Sequence, residues 1–178
     1  MDLKKDIKEA KFLGHPIHMM LIHFPVGLLP FSVIFDLMAV IYKNSSFAMT
    51  GLYMLTTGLW LGAGAAVFGM IDFIRIPERK ERARSKGVIH MILNMIWMSV
   101  FAVIWGLRVK GYPAVSNEST AELIMSALSV LMMLVSNHFG GEMVLKEGIG
   151  TDNLIKAEEA EESSAAYSKF EKSDIFQK

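Results

Sequence analysis

The chain has 178 residues, is 52% hydrophobic with a mean hydropathy of +0.37, and balances 18 acidic against 18 basic side chains. That is too apolar for an ordinary water-soluble domain, and the charges sit in blocks between long uncharged runs. The absence of cysteine excludes disulfides, thiolate zinc sites, iron–sulfur clusters and cysteine nucleophiles.

Residues 1–15 form a charged N-terminal segment. It mixes acids and lysines and has no cleavage site, so it does not read as a signal peptide. Leu3, Ile7, Ala10 and Phe12 among the charges suggest either a short amphipathic helix at a membrane surface or a loose tail.

Four apolar stretches follow, over about 17–42, 47–74, 88–109 and 120–139, each near the ~20 residues that a helix needs to cross a bilayer. They define an all-α, polytopic membrane four-helix bundle over residues 16–146, followed by a polar, cytoplasmic tail over 147–178. Pro16 suits a first helical position, with His15 as the cap before it. Pro25 and Pro30 fall inside the first helix and should bend it. In the second stretch Gly58, Gly62 and Ala66 make a small-residue stripe that lets another backbone approach. The run from Arg75 to Lys86 carries six basic residues and reads as a connection. Ser119-Thr120-Ala121-Glu122 is a capping box that starts the fourth helix at Thr120. No internal repeat is evident in the sequence, which argues against an inverted-repeat transporter.

Lys and Arg set the orientation. Four lie in the N-terminal segment, six in the 75–86 connection and five from Lys146 onward, against Lys43, Arg108 and Lys110 on the other side. The positive-inside rule then puts both termini and the middle connection in the cytoplasm, across what reads as a prokaryotic inner membrane.

This topology gathers the polar residues at one face. His15, His18 and His23 open helix 1, Asp72 closes helix 2, His90 and Asn94 open helix 3, and His138 and Glu142 close helix 4. Ionisable residues inside a membrane are expensive and usually functional. His23 should lie ~7 Å deeper than His18 at 1.5 Å per residue, which makes it the histidine expected to be buried. At the other face, Asp36 and Arg108 each lie 18 residues after a histidine (His18 and His90), so they should share a depth; an ion pair is one reading and a proton-path carboxylate at Asp36 the other.

The motif Gly14-His15-Pro16-x-His18-x-x-Leu21-x-His23-Phe24-Pro25-x-Gly27, with Asp36, Asp72, His90, Asn94, Gly140-Gly141-Glu142, Gly148 and Gly150, resembles the four-helix membrane proteins called domain of unknown function 2231. The resemblance covers about residues 13–150 and implies a fold rather than an activity. Relatives joined to Rieske-type or c-type cytochrome domains imply electron-transfer company. Met19 stands where the family commonly has a proline. Glu147 stands where a histidine is often seen, so no ligand role carries over to that position.

Three functions compete. The first is a b-type haem protein in electron transfer, with His23 and His90 as axial ligands, His138 as substitute, His18 and Asn94 nearby, and Arg75 or Lys86 on the propionates. The second is a divalent-metal or quinone site built from His18, His23, Asp72, His90 and Glu142, a mixed set that suits zinc or non-haem iron. The third is a scaffolding membrane protein without cofactor. The bilayer, a redox partner protein and further copies of the chain are the partners these readings imply. Nucleic acid is not among them, since topology accounts for the basic connection. No P-loop, dinucleotide motif or nucleophile is visible, which argues against a hydrolase or kinase.

Overall fold

The computed structural model describes residues 11–13, 15–111 and 119–149, with positions 160, 163, 164 and 167. Two-residue strands β1 (Lys11–Phe12) and β2 (His15–Pro16) pair antiparallel, and Leu13 takes φ 52° in the turn between them. The amphipathic helix expected near the N-terminus is therefore absent from Lys11–Leu13, and its remainder, 1–10, lies outside the described residues. His15 is exposed in β2. Pro16 occupies the N-cap with no side-chain cap bond, so the capping role expected of His15 is not taken up.

The first span is broken in one place. Helix α1 (Ile17–Leu21) gives way at Ile22 to α2 (His23–Tyr42). The cause is Pro25: it has no N–H to offer the carbonyl four residues back, that of Leu21. The helical path is carried through by Ile22 N–H to His18 O at 3.0 Å and Val26 N–H to Ile22 O at 3.2 Å. Lys43 (φ 51°) and Asn44 then turn the chain, and the Asn44 side chain accepts from Ser46 N–H at 2.9 Å to cap α3 (Ser45–Ile74).

Only Arg75–Lys80 separates α3 from α4 (Glu81–Val109), so half of the expected basic connection is helical. Helix α5 (Thr120–Leu145) begins with the expected capping box: Ser119 N–H donates to Glu122 Oε2 at 2.7 Å and Glu122 N–H to Ser119 Oγ at 3.3 Å. The helix runs straight through Gly140-Gly141, six residues beyond the expected end. All four segments, 17–42, 45–74, 81–109 and 120–145, are long and apolar enough to cross a membrane. Of the tail, Glu147 and Gly148 turn back so that Ile149 N–H reaches Met143 O at 2.9 Å.

Helix α3 packs along α1 and α2, and α5 along α4. The two hairpins then join through α3 against α4 and α2 against α5. The centre is filled by Leu29, Leu55, Trp97, Phe101, Ile104 and Met133. Large apolar side chains such as Phe31, Trp60, Met95 and Leu131 face outward, as lipid requires. Lipid supplies no hydrophobic drive between helices, so close approach over small residues must hold them. Gly58 meets Leu28 and Leu29 of α2, and Gly62 meets Pro25 and Met98. The buried stripe continues at Ala65; Ala66, expected in that role, is exposed.

Candidate functional site

Two histidines are held inside the bundle at its basic end, both by the same device. His18 Nδ1 lies 2.8 Å from the Ala65 carbonyl on α3, and its ring rests on Gly69, where a Cβ would come within 2.8 Å of Cε1. A carbonyl can only accept, so Nδ1 carries the proton, and in its neutral form the ring has its lone pair on Nε2. Among the described residues nothing hydrogen-bonds to that nitrogen. Asp72 lies two turns beyond Ala65 on α3 and is half-buried. The positive or protonatable groups facing it are His18, Arg75 and Lys11, with Arg75 Nη1 at 4.0 Å.

His90 is treated differently. Its Nδ1–H donates to the Ser136 carbonyl at 2.8 Å, and Gly140 makes room for the ring, with Cε1 2.9 Å from where a Cβ would stand. Its Nε2 accepts from Asn94 Nδ2 at 2.9 Å. Asn94 is in turn fixed by Trp97 Nε1–H donating to Oδ1 at 2.8 Å. Ser136 Oγ lies 2.9 Å from the same Oδ1 and 3.1 Å from the His90 carbonyl, both acceptors for its one proton. Both ring nitrogens of His90 are thus engaged within the protein.

His23 and His138 point the other way. His23 is exposed, and the His138 side chain is 71% exposed. The reason is helical phase: each lies two residues from a buried position (Pro25, Ser136), and two residues turn a helix by ~200°. His18 and His90 lie seven residues before buried Pro25 and Trp97, two full turns, and so share the inner face. The expectation that His23 would be the buried histidine is therefore corrected. Depth along the helix does not fix the direction of a side chain, which Pro25 sets here by facing the core.

Glu142 is taken up by charge pairing. Lys86 Nζ lies 3.1 Å from it and 2.8 Å from Glu147, Lys146 also pairs with it, and His138 Nε2 is 3.9 Å away. Lys80 Nζ adds a bond to the Glu147 carbonyl at 3.2 Å. This lattice ties the end of α5 to the start of α4. Lys86 is consumed by it, and Arg84 is pinned by the Ile76 carbonyl at 2.9 Å and the Phe73 ring.

These positions do not suit the expected haem or divalent metal. A haem between His23 and His90 would need one ring that faces outward and another whose Nε2 is already an acceptor. Among the described residues no group of three or more His, Asp or Glu converges as a metal site requires. The residues that sequence reasoning missed are Ser136, Trp97 and the Ala65 carbonyl. A carbonyl leaves no trace in residue identity, but the i,i+3 spacing of Asn94 and Trp97 was a readable signal.

At the opposite end, the expected ion pair forms. Arg108 Nη1 and Nη2 donate to Asp36 Oδ2 and Oδ1, both at 2.8 Å, and Nη2 also reaches the Ala48 carbonyl at 2.8 Å. Asp36 is 2% exposed and Arg108 6%. Gly51 allows it: any side chain there would collide with the Asp36 carboxylate. The pair crosses the bundle from α2 to α4 and anchors both to α3.

Comparison with known proteins gives one result. A family model described as a predicted membrane protein, DUF2231, matches residues 14–153, which includes α1 to α5. No curated protein and no solved structure matches the chain.

Proposed function

The chain belongs to the DUF2231 family of predicted membrane proteins, and from that premise we propose that its working site is His18 with Asp72, which accepts a hydrogen bond from a small quinol-type headgroup dissolved in the bilayer. The observation that carries this reading is the His18 Nδ1–H bond to Ala65, because it fixes the tautomer and leaves Nε2 as a free acceptor. A phenolic hydroxyl donating to Nε2 can pass its proton there, and the Asp72 carboxylate steadies the imidazolium that results. His18 is the second residue of α1, so the headgroup of an amphiphile would meet it at the membrane edge while its tail stays in lipid. The basic bias of this end supports a position on the cytoplasmic side.

The test is binding of a short-tailed benzoquinol analogue to the detergent-solubilised chain, followed by tryptophan fluorescence and by calorimetry. Saturable binding that weakens at least tenfold in His18→Ala and is kept in His138→Ala is the expected result. No saturable binding to the unaltered protein, or equal affinity in His18→Ala, overturns the reading.

A further inference from the structure

The two histidine sites use one geometry, and the match extends through the bundle. His18 and Ala65 are 47 residues apart, His90 and Ser136 46. Each histidine opens the first long segment of a hairpin, bonds a carbonyl on the second, and lays its ring on the glycine four residues after that carbonyl. Stepping 72 residues from His18 gives His90. The same step carries Pro25, Leu29, Ser32 and Asp36, four of the five buried residues of α2, onto Trp97, Phe101, Ile104 and Arg108, four of the six of α4. A step of 71 carries Leu55, Gly58, Gly62 and Ala65 of α3 onto Ser126, Ser129, Met133 and Ser136, all the buried residues of α5.

Helical periodicity alone would align buried faces at several offsets. The histidine bonds, the ring-bearing glycines Gly69 and Gly140, and the facing Asp36 and Arg108 select one. Sequence then agrees where function presses hardest: Ile17-His18-Met19-Met20-Leu21 against Ile89-His90-Met91-Ile92-Leu93, and Phe68-Gly69 against Phe139-Gly140. The packing has the same symmetry, since exchanging hairpins turns the α3–α4 contact into the α2–α5 contact. Both hairpins start at the same end of the bundle, so the relating axis runs along it, a parallel repeat rather than an inverted one.

We infer that the protein is a duplicated helical hairpin carrying two copies of one histidine site, of which the His18 copy is open to a hydrogen-bond-donating ligand and the His90 copy is closed by Asn94. The difference at Nε2 is one position, although Trp97 and Ser136, which hold Asn94, are Pro25 and Ala65 in the first hairpin. Asn94 lies four residues after His90 and donates to its Nε2; the matching residue in the first hairpin is Ile22, which cannot. Ile22 also stands in helical relation to His18, its N–H on the His18 carbonyl at 3.0 Å, so an asparagine there would be placed as Asn94 is. The open copy carries the chemistry and the closed copy holds α4 to α5. This assignment concerns which imidazole can act, and stands or falls apart from the quinol reading.

The test is carbethoxylation of the full chain in detergent by diethyl pyrocarbonate, which reacts at an imidazole nitrogen with a free lone pair, read peptide by peptide in a mass spectrometer. Exposed His23 and His138 serve as internal standards. The imidazole lone pair attacks a carbonyl of the reagent and expels ethyl carbonate, so in the unaltered protein His18 reacts and His90 is at least tenfold slower. In Asn94→Ala, His90 gains reactivity; in Ile22→Asn, His18 slows by roughly three- to tenfold, the protection that one hydrogen bond confers. Equal rates for His18 and His90 in the unaltered protein overturn the assignment, as does an inert His90 in Asn94→Ala or an unchanged His18 in Ile22→Asn. A variant that unfolds makes both histidines as reactive as the standards, and the comparison within the unaltered chain still decides.

Discussion

Replacing Arg108 by alanine removes three charge-assisted hydrogen bonds at once, two to Asp36 and one to the Ala48 carbonyl. It leaves the Asp36 carboxylate 2% exposed, walled by the Gly51 backbone, and takes away the guanidinium that faces it. The loss of attraction between the pair is partly offset, because the arginine no longer has to be desolvated. The carboxylate, however, stays buried. Breaking one partner of a buried pair in this way costs about 3–5 kcal/mol, whereas removing both charges costs much less. Asp36→Ala/Arg108→Ala should therefore be more stable than Arg108→Ala alone. The assay is reversible unfolding in mixed micelles as the denaturing detergent fraction rises, followed by circular dichroism. An Arg108→Ala cost below about 1 kcal/mol, the range of an exposed pair, would refute the reasoning. So would a double variant less stable than the single one.

Gly140→Ala should displace the His90 ring, which lies 2.9 Å from the new methyl position, and cost about 1–3 kcal/mol by the same unfolding assay. Gly141→Ala, with nothing within 4 Å, should be neutral or slightly stabilising, and the reverse order would show the ring to be misplaced. Trp105→Phe removes the indole bond to Thr56 Oγ1 at 3.0 Å and should cost about 1 kcal/mol. His90 should not ligate haem iron, since both its nitrogens are engaged; a haem-loaded protein whose Soret band shifts in a folded His90→Gln variant would contradict that arrangement.

The spans, the Ser119 capping box and the Asp36–Arg108 pair were legible because each rests on spacing alone: hydropathy over a bilayer's width, an i,i+3 pattern, and equal distance from two helix starts. The histidines were legible as a cluster and not as individuals. His23 attracted attention by depth and by its prolines, yet Pro25 faces the core, and that same fact turns His23 outward. The reach of α5 through Gly140-Gly141 was hidden because glycine's weak helix propensity is overridden when the missing side chain is the space that His90 occupies. The duplication escaped notice for a related reason. Packing conserved the positions that face inward but filled them differently, with leucine and glycines on α3 against serines and methionine on α5.

That divergence bears on the ion pair. Asp36 and Arg108 occupy equivalent positions near the axis that relates the hairpins, where two identical hairpins would set like charge against like. Two aspartates or two arginines there would repel at close range in a poorly screened interior. An aspartate facing an arginine satisfies both, but only if the halves differ. The pair therefore specifies the union of two unlike hairpins, the condition under which one histidine site can close while the other stays open. The exchange Asp36→Arg/Arg108→Asp tests how far the halves have diverged. It restores the ion pair, so it should recover part of the Arg108→Ala loss in the same unfolding assay. It should not recover all of it, because Gly51 is shaped around the smaller carboxylate and the Ala48 carbonyl is left without its guanidinium donor. Full recovery would mean that the surroundings are indifferent to which half carries which charge. No recovery would mean that the charges do not meet across the axis.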